Sequence, residues 1–425
     1  MNKVALISRG GGHAGGASRV ADDLYFSLVK KTTFEARRFI GETIELGGDI
    51  PYQPIIEKNI KLYRSLKKRA TRRGYVDHFP FEIIGLNAEI RRADIVHAHD
   101  ISSVFSPRML EQLSLRRTVV WTLHDMSPFT GGCIYPLGCN HWLDECGTCP
   151  QLREWPLTTK KDRTSTLVKS RRRILAQDRL HLIAPSEWIR SQLQRVLPGA
   201  SATIIYNGVD TKAFHPDGER HFMVPADPSM LTLLFVANMV NDVRKGGLYQ
   251  HEIRSLLAVR GKKLRLVIVG GARPAGVKQD GPLTTIFAGR IQDRSELASI
   301  YRSVDAALIP SHADNFPLVI LEAMACGTPI LAFDTGGISE QVDSDCGMIC
   351  QPGDIKGLMD FGIDAFERGQ LPGMGRSARE KTERSFSLDL FETSHEAFYQ
   401  QLLRKEAGRK APATAIYDQN DPDRP

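Results

Sequence analysis

DAALIPSHADNFPLVILEAMACGTPILAFD, residues 305–334, is the stretch that most strongly indicates how this chain folds. The runs DAALIPS (305–311) and PILAFD (329–334) are short and mostly apolar, which is typical of strands buried on both faces of a sheet. Between them, VILEAMA has the composition of a helix. The Asn-Phe-Pro before it indicates a helix start, with Pro317 suited to the first helical position. This stretch predicts a parallel β-α-β unit.

The same alternation of apolar strands and helical segments continues through most of the chain. The strands predicted in the first half are VALIS (4–8), FEARRFI (34–40), DIVHAH (94–99), TVVWTL (118–123), HLIAP (181–185) and TIIYN (203–207), with a helix at 18–30. Those predicted in the second half are LTLLFVA (231–237), LRLVIVGG (264–271), LTTIFAG (283–289) and the two quoted above. We therefore predict an α/β chain of two doubly wound, Rossmann-like domains that face each other across a cleft.

The domain boundaries are predicted from composition. The polar, proline-containing segment 215–230 is expected to link the domains, which places the N-terminal domain at 1–214 and the C-terminal domain at 215–404. The last helix of the second domain is expected to pack back on the first. The polar segment 405–425 predicts a disordered tail. A length of 425 residues suits two domains.

The charge of the chain is uneven. The net charge is +10 over residues 1–190 and −3 over 191–425, and two basic blocks lie at 58–75 and 160–173. Such blocks suit an anionic partner such as phospholipid, nucleic acid or a diphosphate, although one block alone is equally typical of a solvated helix face. No apolar run approaches the ~20 residues of a membrane-spanning helix, and the first residues lack a signal-peptide pattern. We expect a cytoplasmic protein that docks on the anionic inner membrane.

Three segments suggest a phosphate-binding cleft. Glycines in RGGGHAGGASRVADDL (9–24) precede a helix, where backbone N–H groups can approach a phosphate, although a plain tight turn would look the same. VRKGG (243–247) places two cations after a strand, either for a diphosphate or for solvent. Asp314 precedes the helix after DNFP and Glu322 lies in its second turn, where carboxylates can accept hydrogen bonds from sugar hydroxyls.

These motifs together resemble glycosyltransferase family 4. The resemblance rests on YNGVD (206–210), the lysine of RKGG, DNFPLVILEAMACGTPILA (314–332), the N-terminal GG-A-x-R-V-A and TLHD (122–125). It implies a retaining enzyme of the GT-B fold that uses a nucleotide sugar. TLHD followed by a four-cysteine loop and CPQL is similar to the branch that acts in bacterial exopolysaccharide synthesis, such as colanic-acid glycosyltransferases.

The resemblance also implies roles for single residues. Glu322 would bind the ribose, Asp314 the transferred sugar, and His124 would lie near the anomeric centre. Lys245, helped by Arg244, would neutralise the diphosphate. The other donor contacts implied are Gly15 and Gly16 at the phosphates, Ile291 at the base, and the backbone amides of Asn315, Phe316, Pro317 and Leu318 at the sugar and diphosphate. Asp314 stands where the family usually has glutamate, and Ala237-Asn238 where it has Gly-Arg.

The mechanism expected from this resemblance is front-face attack assisted by the leaving phosphate, with retention of configuration. Cleavage of the anomeric bond creates a nucleoside diphosphate anion, which cations and helix-terminal N–H groups can stabilise without a catalytic metal. The acceptor is expected to be a lipid-linked or oligosaccharide chain. The donor is a UDP- or GDP-sugar, and the sequence does not separate the two.

Four of the seven cysteines lie close together at Cys133, Cys139, Cys146 and Cys149. Their spacing suits a structural zinc site, with His141 as an outside candidate ligand. Free or packed thiols and a redox or iron–sulfur centre are the alternatives. Cys326, Cys346 and Cys350 are expected to be small core residues.

Two other functions fit parts of the sequence. A nucleotide-sugar epimerase or hydrolase could have the same fold and would form product without any acceptor. A zinc-containing nucleic-acid-binding protein would use the basic half and the cysteine loop, but it would leave the 314–332 segment unexplained. We therefore expect no nucleic-acid partner.

Overall fold

The computed structural model describes residues 1–31, 33–41, 50–57, 60–75, 81–237, 242–247, 249–271 and 273–410. Two seven-stranded sheets are formed, one from each half of the chain, and helices cover both. The predicted α/β, two-domain GT-B class is confirmed. Asn238, part of the expected phosphate loop, lies outside the described residues.

The first sheet is parallel throughout, with strand order β3-β2-β1-β4-β5-β6-β7. Its strands are β1 (Asn2–Ser8), β2 (Phe34–Ile40), β3 (Gln53–Pro54), β4 (Ile95–Ala98), β5 (Thr118–Thr122), β6 (Leu180–Ala184) and β7 (Ala202–Ile204). Its helices are α1 (Gly16–Lys31), α2 (Ile60–Arg72), α3 (Phe81–Gly85), α4 (Ala88–Arg92), α5 (Pro107–Ser114), α6 (Thr164–Leu175) and α7 (Glu187–Val196). Strand β3 was not predicted, because two residues are too few to show a pattern.

The second sheet has the order β10-β11-β9-β8-β12-β13-β14, and only the edge strand β10 is antiparallel. Its strands are β8 (Leu231–Val236), β9 (Leu264–Val269), β10 (Gly276–Asp280), β11 (Leu283–Gly289), β12 (Ala306–Ile309), β13 (Ile330–Phe333) and β14 (Gly347–Cys350). Its helices are α8 (Gln250–Arg260), α9 (Arg294–Tyr301), α10 (Leu318–Ala325), α11 (Ile338–Gln341), α12 (Ile355–Glu367) and α13 (Leu371–Ser385). The sequence predicted neither β10, which is mostly polar, nor β14.

The last helix, α14 (Leu388–Lys410), returns to the first domain. Phe391, Tyr399 and Leu402 pack into the core beside β1, and the Tyr399 hydroxyl lies 2.5 Å from His97 Nδ1 on β4. The returning chain passes beside the outgoing one, where Val209 N–H donates to Phe386 O. The helix is longer than predicted, since 405–410 is helical in place of a disordered tail. Helix α14 itself contains no proline, and residues 411–425 lie outside the described residues.

Helix α10 corrects a detail of the sequence prediction. Pro317 has extended backbone angles, φ −68° and ψ 127°, and caps the helix rather than forming its first helical residue. The carbonyl of Pro317 is held by Gln341 Nε2 at 3.1 Å, which fixes the entry into the helix. Asp314 therefore precedes α10, and Glu322 points from its second turn, as the spacing predicts.

Candidate active site

Lys245 and Asp314 meet at the carboxyl end of the second sheet. Lys245 ends a 3₁₀ turn that Asp242 caps, and its ammonium group donates to the Asp314 carboxylate. The next residue, Gly246, has φ +79°, and a Cβ there would lie 2.2 Å from the Pro310 carbonyl oxygen. Only glycine lets the turn approach strand β12 so closely, so the RKGG motif is explained by the position of its lysine.

Arg244 is fixed beside this pair. Its guanidinium forms an ion pair with Asp242 at 3.1 Å and donates to Ala313 O at 3.0 Å. It also lies 5.7 Å from the centre of the Tyr135 ring, which belongs to the four-cysteine loop. Two cations therefore stand at the end of one sheet, where a diphosphate would find paired positive charge.

Glu322 is buried and makes two contacts. The Tyr301 hydroxyl donates to it at 2.9 Å, and Arg19 of helix α1 forms an ion pair with it at 2.8 Å. Arg19 belongs to the first domain, so this pair crosses the cleft. Neither partner was predicted from the sequence, although Arg19 is the arginine of the GG-A-x-R-V-A motif.

Asn315 joins the two domains through its side chain. Its amide nitrogen donates to Leu123 O at 3.0 Å and His124 O at 3.1 Å, and its amide oxygen accepts from Ser186 Oγ at 2.5 Å. These three partners lie in the first domain. The structure therefore uses the side chain of Asn315 for domain packing rather than for a ligand.

The residues after Asn315 are mainly structural. Phe316 is buried and its ring stacks on Tyr206, with 5.1 Å between centroids. Its carbonyl accepts from Asn207 Nδ2 at 3.0 Å, which explains the asparagine of YNGVD. Pro317 has no N–H to donate, and Leu318 packs against the cores of both domains. Of the predicted amide donors, Pro317 is therefore ruled out by chemistry.

His124 lies at the end of β5, on the first-domain side of the cleft. Its Nε2 is 3.0 Å from His99 Nδ1, and the two rings stack. Burial, followed by the nearby His395, lowers the pKa of His124 to about 3, so the imidazole is neutral at pH 7. A neutral ring can exchange a hydrogen bond with a sugar hydroxyl without competing for the diphosphate.

Asp125, next to His124, was not selected from the sequence. Burial and the repulsion of Asp100 raise the pKa of Asp125 to about 7, although Ser127 N–H donates to its carboxylate at 2.7 Å. A carboxyl group that titrates near neutral pH in a cleft is a candidate for proton exchange. The sequence signal available was the fourth letter of TLHD.

Tyr135 was also missed, because it lies inside the cysteine loop. Its side chain is buried, and its hydroxyl accepts a hydrogen bond from the backbone N–H of Asn315. Burial, together with the charges of Asp314 and Asp125, raises its pKa well above the ordinary value. The cysteine loop thus places one side chain among the candidate donor residues.

Gly15 and Gly16 leave the start of α1 open. Gly15 has φ +147°, and a Cβ at either position would have nothing within 4 Å. Across the cleft, Arg290 donates to His13 O at 3.1 Å, which brings the Gly-rich turn opposite the loop with Ile291. Ile291 packs at the edge of the second core. The glycines and Ile291 therefore lie on facing walls of the cleft.

The four cysteines are free thiols and line one cavity of about 20 Å³ together with His141. Among the described residues, which include all four, no three Cys, His, Asp or Glu side chains stand at metal-binding separation. The zinc site stays a prediction. Cys326, Cys346 and Cys350 are buried, as expected for core residues.

Two family models match this chain. One, described as Glycosyltransferase Family 4, covers residues 14–213, and the other, Glycosyl transferases group 1, covers 231–365. Between them they span most of the sequence and meet at the linker.

Curated relatives match over part of their length. WcaC of Escherichia coli K12, named for colanic acid biosynthesis as a glycosyl transferase, is 29% identical over 239 residues, 54% of this chain and 55% of WcaC. D-inositol 3-phosphate glycosyltransferase 2 of Catenulispora acidiphila is 30% identical over 51% of this chain and 57% of its own. The match thus spans little more than half the length of either relative.

Solved structures match over nearly the whole chain and show the fold. Sucrose-phosphate synthase of Thermosynechococcus elongatus has a TM-score of 0.66 at 21% identity and covers 95% of this chain and 100% of its own. Anabaena HepE, solved in complex with UDP-glucose, has a TM-score of 0.60 at 16% identity and covers 96% of this chain and 99% of its own.

Proposed function

We propose that this chain, which matches the Glycosyltransferase Family 4 model over residues 14–213 and the Glycosyl transferases group 1 model over 231–365, is a retaining, hexosyl-type glycosyltransferase acting in exopolysaccharide synthesis. It would move a sugar from a UDP- or GDP-sugar to a lipid-linked or oligosaccharide acceptor. One observation supports this most strongly: Lys245, Asp314 and Glu322 from the second domain converge with Arg19 and the His124 strand end from the first. A nucleotide sugar needs cations for its diphosphate and carboxylates for its hydroxyls, and this cleft offers both.

The donor would lie with its diphosphate at Lys245 and Arg244, its ribose at Glu322 and its sugar toward Asp314 and His124. Each carboxylate already has a cationic partner, Lys245 for Asp314 and Arg19 for Glu322. A diphosphate entering between the domains would compete for those cations, and the sugar and ribose hydroxyls would replace them on the carboxylates. The ion pairs therefore hold the polar groups ready for exchange.

Catalysis would depend on stabilising the leaving diphosphate. Lys245 and Arg244 neutralise the charge that develops as the anomeric C–O bond breaks. The leaving phosphate oxygen can then accept the acceptor proton on the same face of the sugar, which gives retention. Asp125, whose pKa is raised to about 7, could exchange a proton with the acceptor hydroxyl at neutral pH.

The acceptor would reach the cleft from a membrane surface. The exposed cations of α2 lie along one helix with exposed Leu62 and suit an anionic bilayer; they are Lys61, Arg64, Lys68, Arg69 and Arg72. The second basic block is used differently. Arg171 donates to Ser127 O, Arg172 to Asp144 O, and Arg173 pairs with Glu111. The proposal of membrane docking therefore rests on α2. Among the described residues, no helix is long and apolar enough to span a bilayer.

The test is the transfer reaction itself. Labelled UDP- and GDP-hexoses would be incubated with the protein and an extract of bacterial polyprenyl-linked lipids, and the new linkage would be examined by NMR. The proposal expects one donor class to label the lipid with the anomeric configuration of the donor, and Lys245→Met to abolish the labelling. Inversion would overturn retention. An epimerised or hydrolysed sugar formed equally without lipid would favour the epimerase or hydrolase instead.

A further inference from the structure

The loop after β5 brings four thiols to one place. Cys133, Cys139, Cys146 and Cys149 surround a cavity of about 20 Å³, which is room for one atom-sized guest. They come from the seventeen residues 133–149, whose regular structure is limited to the 3₁₀ turn His141–Leu143, so the fold of the loop, rather than one helix or strand, gathers them. Binding a nucleotide sugar does not itself require these four thiols to lie together.

The backbone of the loop is strained in a way that a metal would explain. Of the non-glycine residues with positive φ in the described chain, all but Ser103 lie between 137 and 153. Cys146 has φ +56° and Thr148 has φ +47°, on either side of Gly147 in the Cys-x-x-Cys turn. Such conformations persist only where the surroundings fix them, and they are costly for a β-branched threonine.

Polar groups already point toward the sulfurs. The backbone N–H of Gly131 lies at the Cys146 sulfur, and the backbone N–H of Gln151 lies at the Cys149 sulfur. Hydrogen bonds of this kind are the outer shell that thiolate ligands of a metal receive.

The apolar side chains of the loop are shared between two clusters. Tyr135 and Trp142 belong to the main core of the first domain, with Cys146 packed against it, whereas Cys133, Leu157 and Leu167 form a small separate cluster with Cys149 packed against it. Arg172 supports the neighbouring backbone by donating to Asp144 O at 2.7 Å. A metal held by the four sulfurs would join these two parts of the loop.

We propose that Cys133, Cys139, Cys146 and Cys149 bind one Zn²⁺ in a tetrahedral site that holds Tyr135 in the active-site cleft. The four thiols are not at ligand distance in this structure, and binding would draw them in to about 2.3 Å from the metal. Four Zn–S bonds form, four S–H bonds break, and the protons pass to water. Arg172 lies near enough to Cys146 to offset part of the resulting negative charge.

The effect on function follows from Tyr135, two residues after Cys133. Tyr135 hydrogen-bonds to the Asn315 N–H and lies beside Arg244, and Gln151 from the end of the loop donates to Tyr135 O at 2.8 Å. Zinc would therefore act as a structural support for the donor side of the cleft. This second part rests on the proposed function, whereas the metal site does not.

The experiment measures metal in the full-length protein. We expect about one zinc per chain in protein purified without added metal, measured by mass spectrometry of the digested sample. Cobalt exchanged into the site should give the visible absorption of tetrahedral thiolate coordination. Cys139→Ser and Cys149→Ser should lose both signals, whereas Cys350→Ser, in the second domain, should keep them.

Several results would overturn the proposal. Wild-type protein that neither holds zinc nor gives the cobalt spectrum, or variants that keep both, would exclude the site, and a disulfide found in the loop would replace it. If the variants fail to fold, chelation of folded wild type followed by cobalt titration gives the same answer. Zinc removal should also weaken UDP or GDP binding. Unchanged binding would overturn the role of Tyr135, and zinc without any nucleotide binding would overturn the proposed function alone.

Discussion

Replacing Arg19 with methionine tests whether the two domains meet as described. Arg19 Nη1 lies 2.8 Å from Glu322 Oε1, and the two side chains are 24% and 3% exposed. Removing one partner of a fully buried pair costs about 3–5 kcal/mol, because the remaining charge is left unpaired. Water reaches part of Arg19, and the Tyr301 hydroxyl still donates to Glu322, so we expect a loss of about 1–3 kcal/mol.

A double-mutant cycle isolates this pair. Arg19→Met, Glu322→Gln and the double variant would be unfolded in urea, and the free energies compared with wild type. The double variant should recover part of the loss, since no unpaired charge remains, with a coupling energy of about 1–2 kcal/mol. The surface pair Arg260 and Asp360, at 2.8 Å, is a matched control for which we expect less than about 1 kcal/mol. A coupling at Arg19 no larger than this control would refute the contact across the cleft.

Three further predictions concern single features. Gly246→Ala should lower the free energy of unfolding in urea by about 1–3 kcal/mol, because the new Cβ would lie 2.2 Å from the Pro310 carbonyl oxygen. Gly281→Ala is the control: its φ is +59° and a Cβ there has no atom within 4 Å, so this change should cost only the backbone strain. In the folded state Asp125 keeps its proton up to about pH 7, whereas the unfolded chain releases that proton near pH 4, so the contribution of Asp125 to stability falls as the pH rises between these values. Asp125→Asn should remove this pH dependence and raise the free energy of unfolding by at most about 4 kcal/mol at pH 7. A pH profile of stability that is the same in the variant and in wild type would contradict a buried Asp125 carboxyl with a raised pKa. Vesicles with anionic lipid should bind the wild type in low salt but bind it less after Lys68 and Arg69 are changed to glutamine; equal binding of both would exclude α2 as the docking helix.

The sequence predicted best those features that depend on residues close together in the chain. The runs 34–40 and 283–289 match β2 and β11 residue for residue, because each is bounded by polar or turn-forming residues, although β2 itself carries Glu35, Arg37 and Arg38. The βαβ unit around Glu322 was predicted for the same reason. The place of Pro317 was wrong, because the fixed φ of proline suits a cap as well as a first helical position, and only the observed ψ of 127° separates the two.

The features that were missed depend on contacts across the chain. Arg19 and Glu322 are separated by about three hundred residues of sequence, and nothing near Arg19 indicates its partner. The role of the Asn315 side chain in holding Leu123 and His124 is of the same kind. Tyr135 was overlooked because the cysteines around it suggested a separate structural unit. Strand β10 was missed because an edge strand with one exposed face can be polar.

The basic second block shows the limit of reading charge alone. Arg171, Arg172 and Arg173 appear in the sequence as a cationic run suited to an anionic partner. In the structure each donates to a carbonyl or pairs with a carboxylate, and Arg171 is buried. The number of cations in a segment does not show whether they face solvent or donate hydrogen bonds within the protein, because the outcome depends on which side of the helix faces the core.

The central claim, a nucleotide-sugar site between the domains, is tested most directly by calorimetric titration of UDP and GDP into wild type and Lys245→Met, with Lys356→Met, a surface lysine of α12, as control. We expect one nucleotide to bind wild type and the control alike, and its affinity to fall at least about tenfold in Lys245→Met, or about 1.4 kcal/mol. Equal affinity in all three proteins, or no binding of either nucleotide to wild type, would contradict it.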